Sequence, residues 1–264
     1  MIEFNVAFRS ILILCGSVTI FFFIYPILLI LGLGAGSIYS ALETGSFMAS
    51  VEVTFVIATA AAVLSVVVGT PFAYLLARYD FRFKVIVDAI IDIPVMVPHV
   101  LVGLMIVLAF ASSYGLGPLL QGLGLNLIDT LIGAIITVTY LSATYSIRVT
   151  ESAIKMISPD VELTARTLGS TQAFAFTHVI LPRIWKSIAN GAILTWARAV
   201  AEVGALLVVA YYVFFNGNDV YPASIYIYEG YVALGLDGVI KYSAALLLIV
   251  LATFIIYRVV LRRI

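Results

Sequence analysis

The chain has 264 residues, of which 63% are apolar and only 11% charged, and its mean hydropathy is +1.17. Soluble domains carry an apolar share nearer one half, so a water-soluble globular fold is excluded and a bilayer is the expected solvent. Fourteen cations balance fourteen anions, and no basic run is long enough to suggest nucleic acid, so the placement of charge carries the information.

The first apolar stretch runs from Ser10 to Leu42 without a charge. It exceeds the core of a signal peptide and lacks a small-residue cleavage motif, which predicts an uncleaved first span. A membrane helix needs about 20 apolar residues. On that measure the sequence predicts six spans, near 10–34, 53–77, 89–112, 129–147, 187–213 and 238–257. Cations then set the orientation. Arg9, the group Arg78, Arg82 and Lys84, those from Arg148 to Lys186, and Arg258, Arg262 and Arg263 fall on one side of the six-span layout, with Lys241 on the other. The positive-inside rule places both termini and the 78–88 and 148–186 loops in the cytoplasm. The outward loops at 113–128 and 214–237 are rich in Gly, Asn and Tyr, as suits either interfacial anchors or a docking surface for an external partner. No linker, low-complexity tract or repeat divides the chain, so 1–264 reads as one membrane domain.

Chemistry-bearing residues are few. Cys15 is the single cysteine, which excludes an internal disulfide and a thiol cluster, and His99 and His178 are too far apart in sequence to suggest a metal site. No GxxxxGK[ST] occurs and the dipeptide Gly-Lys is absent, so the chain supplies no P-loop. No nucleophile motif marks a catalytic site. Arg198 and Glu202 stand roughly 16 to 22 Å above the start of the fifth span at 1.5 Å per residue. Each costs about 2.5–3.5 kcal/mol against lipid and should face the protein interior or a water-filled path. Their i, i+4 spacing fits a structural ion pair, and their depth fits a role on a translocation path. Asp88 and Asp92 repeat that spacing ahead of Pro94, Pro98 and His99. Pro98 removes a donor to the Pro94 carbonyl and predicts a kink, lined either by two solvated carboxylates or by a gate in which His99 donates to an anion.

The longest inward loop, 148–186, carries helix signals. In "SPDVELTARTLGS" Ser158 is a good N-cap, Pro159 suits the first helical position and Asp160 favours the positive helix end. Glu162 and Arg166 are spaced to pair, and Val161, Ala165 and Leu168 form one apolar stripe. Gly169 fits a C-terminal stop, and Ser170 or Thr171 caps a second helix that runs through "QAFAFTHVI" to Pro182. Such a helix suits the lipid surface or a docking role.

The wording of this loop resembles the cytoplasmic loop of permease subunits of binding-protein-dependent ABC importers. Their pattern is Glu-Ala-Ala, three residues, Gly, nine residues, then Ile-x-Leu-Pro. Ala165, Gly169, Leu181 and Pro182 match, Val179 replaces Ile, and Leu163 and Thr164 stand where Glu and Ala are usual. "IDIPVMVPHVLVG" at 91–103 and "WARAVAEVGALLVVAYY" at 196–212 look like the third and fifth helices of the molybdate, tungstate and sulfate group, and "RTLG" fits that group too. The resemblance implies the type I ABC importer permease fold: all-α, six transmembrane helices, both termini cytoplasmic, multi-pass in the cell membrane. It implies a homodimer partnered by two ATPase subunits, which carry the ATP and Mg, and by an external oxyanion-binding protein. The chain itself would then hold no cofactor and would not be an enzyme. Glu162, Leu163, Thr164, Ala165, Arg166, Gly169 and Ser170 are the expected coupling residues. Asp92, Pro98, His99, Arg198 and Glu202 are the expected path or gate. An ion-coupled secondary transporter with Glu202 as proton site is the alternative from another class, and would call for inverted repeats that the sequence does not display.

Overall fold

The computed structural model describes residues 6–263. Apart from two short strands it is helical. α1 (Val6–Gly34) leads through one 3-10 turn to α2 (Ile38–Leu42), and α3 (Gly45–Arg78) follows. α4 (Lys84–Met96) and α5 (His99–Phe110) come next, then a short α6 (Gly117–Gly122) and a long α7 (Leu131–Lys155). The segment between α7 and α10 supplies α8 (Asp160–Thr167) and α9 (Gln172–Ala175), and α10 (Leu181–Val200) returns through the core. α11 (Leu206–Val209), the hairpin β1 (Val213–Phe215) with β2 (Asn218–Val220), and α12 (Ala223–Arg263) complete the chain.

The centre is a three-helix packing of α3, α7 and α10. Val53, Ile57, Ala58 and Ala61 of α3 meet Ala134 and Val138 of α7 and Trp196 and Ala199 of α10, all buried. Small residues let these backbones approach, as van der Waals packing inside a bilayer requires. A Cβ added at Gly191 would lie 3.1 Å from the Ser146 Cα, so α10 crosses α7 at a point only glycine fits easily. α1 packs against α12 and otherwise leaves its apolar side chains exposed.

Among the described residues four segments are long and apolar enough to cross a membrane: Phe8–Leu42, Gly45–Arg78, Leu131–Lys155 and Ala223–Leu261. The predicted third span is not one straight helix. α4 and α5 are bent by 118° at residues 97–98, giving a fifth crossing if the pair is one broken span. Pro98 cannot donate to the Pro94 carbonyl, and Val97, as the residue before a proline, is driven to φ −95°, ψ 153°. The kink is therefore a break.

The fifth span also departs from expectation. Its helix ends at Val200 and not near 213, because side chains replace the backbone ladder beyond it. The Glu202 carboxylate accepts the Ala205 N–H at 2.9 Å, and Ser224 Oγ donates to the Glu202 carbonyl at 2.6 Å. Residues 213–220, expected as the last residue of the fifth span and the start of the 214–237 outer loop, instead form the antiparallel hairpin, with Val213 opposite Val220. Asn216 and Gly217 make its two-residue turn with φ of 51° and 84°, the positive values that such hairpin turns require. The rest of that expected loop belongs to α12, which starts at Ala223 and bends at Gly235 (φ 72°, ψ −170°).

Candidate functional site

Three polar clusters interrupt the apolar fold. The first joins the α8–α9 segment to the end of α3. α8 begins one residue later than its sequence predicts, with Pro159 and not Ser158 at the N-cap and no side-chain cap bond, although Ser158 Oγ accepts from the Asp160 N–H at 3.3 Å. It ends in a Schellman arrangement, with Ser170 N–H donating to the Ala165 carbonyl at 3.1 Å and Gly169 N–H to that of Arg166 at 3.0 Å. Gly169 sits at φ +93°, with open space around it, so conformation and not crowding demands glycine. Thr171 caps α9 by accepting the Phe174 N–H at 3.2 Å. Pro182, expected to stop that second helix, does not. A π-helical turn over Phe176–Ile180 carries the chain from α9 into α10, since the wider turn absorbs the donor that Pro182 lacks.

Glu162 is the anchor of this segment. Its expected partner Arg166 is not the one it takes. Arg78 Nε at the end of α3 contacts Glu162 Oε1 at 2.5 Å, and Tyr74 donates its hydroxyl hydrogen to Oε2 at 2.6 Å. Arg78 Nη2 also donates to the Ile157 carbonyl at 2.9 Å, and Gln172 Nε2 reaches the hydroxyls of both Tyr74 and Tyr79. With Glu162 turned inward, the outward face carries Leu163, Thr164, Arg166 and Leu168, while Ala165 and Ser170 are half-buried. The predicted stripe of Val161, Ala165 and Leu168 is thus divided, because Val161 and Ala165 are half-buried and Leu168 is 84% exposed. His178 stacks on Phe174 at 4.1 Å.

The second cluster locks α4 to α7. Arg148 holds Asp92 with a two-pronged grip, Nε to Oδ1 and Nη2 to Oδ2, both 2.9 Å. Its Nη1 donates at 2.7 Å to Asp88 and to Glu151, and Nη2 also reaches the Asp88 carbonyl at 2.9 Å. Lys155 adds a contact to Glu151 at 2.6 Å. Asp88 and Asp92 are therefore not the solvated carboxylates that one sequence reading expected; the planar guanidinium serves three acids at once. Arg148 and Glu151 were missed in the sequence, where their only signal was i, i+3 spacing on a polar end of a span.

The third cluster lies where α10 ends and α5 begins. Glu202, 1% exposed, places Oε2 at 2.9 Å from Arg198 Nη2 and 3.2 Å from His99 Nδ1. The Arg198 contact lacks the alignment of a hydrogen bond. Arg198 Nη2 also lies 2.7 Å from both ring nitrogens of His99; arginine only donates and an imidazole has at most one acceptor nitrogen, so no more than one of the two contacts is a hydrogen bond. His99 is the first residue of α5, placed by the Pro98 break, and the exposed Pro98 is the N-cap. A Cβ on Gly204 would fall 2.9 Å from the His99 Cβ, so this glycine admits the imidazole. Among the described residues no group of three His, Cys, Asp or Glu side chains could hold a metal ion.

Residues 69–264 match the family described as the inner membrane component of binding-protein-dependent transport systems. The chain belongs to that family. This permease is 30% identical over 260 residues, 98% of its own length and 97% of the relative's, to a molybdate/tungstate transport system permease protein of Methanocaldococcus jannaschii. It is 38% identical over 155 residues to the protein of the same description in Thermococcus kodakarensis. That match covers 59% of the permease and 58% of the relative. A sulfate transport system permease protein of Salmonella typhimurium is 27% identical over 163 residues, 62% of the permease and 59% of the relative. Among solved structures, a bacterial ABC transporter involved in the import of the acidic polysaccharide alginate overlays with a TM-score of 0.74 at 17% identity. The overlay covers 97% of the permease and 95% of that chain, and it establishes the ABC importer permease fold.

Proposed function

We propose that this permease is the translocation subunit of an ATP-driven importer of a tetrahedral oxyanion, molybdate or tungstate in first place and sulfate as the alternative. Similarity over nearly the whole of both chains to the molybdate/tungstate permease protein of Methanocaldococcus jannaschii carries the proposal. In this reading α10, 20 residues long with Arg183, Lys186 and Arg198, is the remaining crossing that brings the total to six. Both termini and α8 then lie on the cytoplasmic side, and 1–264 is one membrane domain.

A second copy of the chain completes the translocation path, two ATPase subunits dock from the cytoplasm, and a binding protein delivers the anion from outside. The exposed Leu163, Thr164, Arg166 and Leu168 present a mixed apolar and cationic face to the ATPase. Glu162 fixes that face to α3, so displacement of α8 is passed through the Arg78 contact to a central helix. ATP-driven closure of the ATPases thus biases the dimer between inward-open and outward-open states. On the path, Arg198 and His99 offer donors to a passing dianion, and Asp92 with Arg148 holds the inner end of the broken span. ATP and Mg belong to the partner, and this chain hydrolyses nothing.

The test is ATPase activity of the permease reconstituted in liposomes with its cognate ATPase and binding protein, adding each anion at equal concentration. Stimulation by molybdate and tungstate but not by sulfate is expected. An assembled complex that responds to none of the three removes the oxyanion assignment, and no assembly with an ATPase removes the importer reading altogether.

A further inference from the structure

Arg198 is the one cation in the interior of the fifth span, and its engagement is one-sided. Every contact it makes uses Nη2; its Nε and Nη1 have no protein partner among the described residues. The side chains of Arg198 and His99 are 21% and 37% exposed, whereas Glu202 is 1% exposed. The carboxylate is the buried member of the cluster, and the partly exposed guanidinium keeps two nitrogens without a protein partner. Glu202 is hydrogen-bonded through one oxygen only: Oε1 accepts the Ala205 N–H at 2.9 Å, and Oε2 rests 2.9 Å from Arg198 and 3.2 Å from His99 Nδ1 without hydrogen-bond alignment.

We infer that Glu202 is a built-in competitor for the oxyanion, a resident carboxylate that occupies part of the Arg198 charge and keeps the anion site on the path weak. This inference rests on the proposed oxyanion path and assigns how that site is regulated. Both two-pronged edges of the guanidinium, Nε with Nη2 and Nη1 with Nη2, include the Nη2 that faces Glu202 and His99, so an oxyanion that takes a fork with two of its oxygens competes with them for that nitrogen. Alone in a low-dielectric interior the guanidinium would hold a dianion too firmly for release, because Coulomb attraction rises as the effective dielectric falls. A carboxylate in contact with the same guanidinium repels the dianion at short range and neutralises the cation once the anion has left. Rapid transfer needs both effects. The buried Oε2, attached to a partner by charge alone, has the freedom to approach or retreat from Arg198 as the anion passes.

The experiment uses the assembled permease–ATPase complex without binding protein and measures tungstate binding by equilibrium dialysis with elemental analysis. Glu202→Gln keeps the oxygen that accepts the Ala205 N–H and removes the charge. It is expected to bind tungstate at least about tenfold more tightly than the wild type, with slower uptake when the binding protein is restored. Glu202→Asp retains the charge and is expected to stay near wild-type affinity. Adding Arg198→Gln to Glu202→Gln is expected to abolish the tight binding. Unchanged affinity in Glu202→Gln, in a complex whose wild type imports molybdate, overturns the competitor role and leaves the transport reading standing. A wild-type complex that takes up no oxyanion overturns both. Equal tightening in Glu202→Asp also overturns the inference, because loosened packing and not lost charge would then be the cause.

Discussion

Arg78 provides the most direct test of how the inward segment is held. Replacing it by Met leaves the Glu162 carboxylate buried with only the Tyr74 hydroxyl, 2.6 Å away, as partner. The side chains of Arg78 and Glu162 are 10% and 11% exposed. Removing one partner of a buried pair costs about 3–5 kcal/mol, and the surviving Tyr74 bond argues for the lower end, about 3 kcal/mol. At 1.36 kcal/mol per decade that raises the opening equilibrium of α8 roughly a hundredfold. Hydrogen–deuterium exchange of peptides spanning 158–175 in the reconstituted permease reads this directly. Glu162→Leu should cost less, because Arg78, at the end of α3, can extend its charged head to water. The double variant Arg78→Met, Glu162→Leu should recover much of the protection. An Arg78→Met permease whose exchange rises less than about threefold, against the hundredfold expected from a buried pair, would show that α8 is held by something other than this contact, and the proposed route of motion into α3 would fall with it.

Other outcomes follow from the same geometry. Gly169→Asn should fold and couple nearly normally, Gly169→Ala should lose about 1 kcal/mol for a left-handed backbone, and Gly169→Pro, which can reach neither φ +93° nor the bond to Arg166, should hydrolyse ATP without matched uptake. Coupled uptake per ATP in liposomes measures all three, and normal coupling in the proline variant would refute the lever. Arg148→Met abandons Asp88 and Asp92 and leaves Glu151 with Lys155 alone. Discounting for the half-exposed aspartates, a loss of about 2 kcal/mol should lower the thermal midpoint by about 4–8 °C, and Arg148→Lys, lacking the fork, should recover only part. Gly204→Ala brings a methyl against His99 and should cut transport while leaving assembly with the ATPase intact, as co-purification and uptake would show. At the α3–α4 turn, the hydrogen bond from Lys84, 2.9 Å away, holds the Asp80 carboxyl below its ordinary 3.8. The sign follows: this contribution is present above pH 3.8 and fades as pH falls through the lower folded value. In Lys84→Met the Asp80 carboxyl should titrate at higher pH by carbon-detected NMR.

What the sequence settled by itself was local chemistry. The bilayer as solvent followed from composition, and the C-terminal end of α8 followed from Gly169, since a cap acts on its own turn of chain. Pro98 announced the discontinuity, and the Arg198–Glu202 contact was legible from spacing. The hairpin had its signal too, in the Asn-Gly of "FFNGNDV", but an apolar stretch flanking it reads equally as the end of a membrane helix. Partner choice across the fold was another matter. Glu162 had Arg166 one turn away and took Arg78, 84 positions distant in sequence, because α3 and α8 converge there and burial makes the fixed pair the stronger one. Arg148 gathered Asp88 and Asp92 only because α4 packs on α7. The termination of α10 at Val200 likewise depended on Ser224, a residue of another helix, taking the Glu202 carbonyl. Sequence determines which groups are costly to leave alone in an apolar interior; the packing of helices far apart in the chain decides who satisfies them.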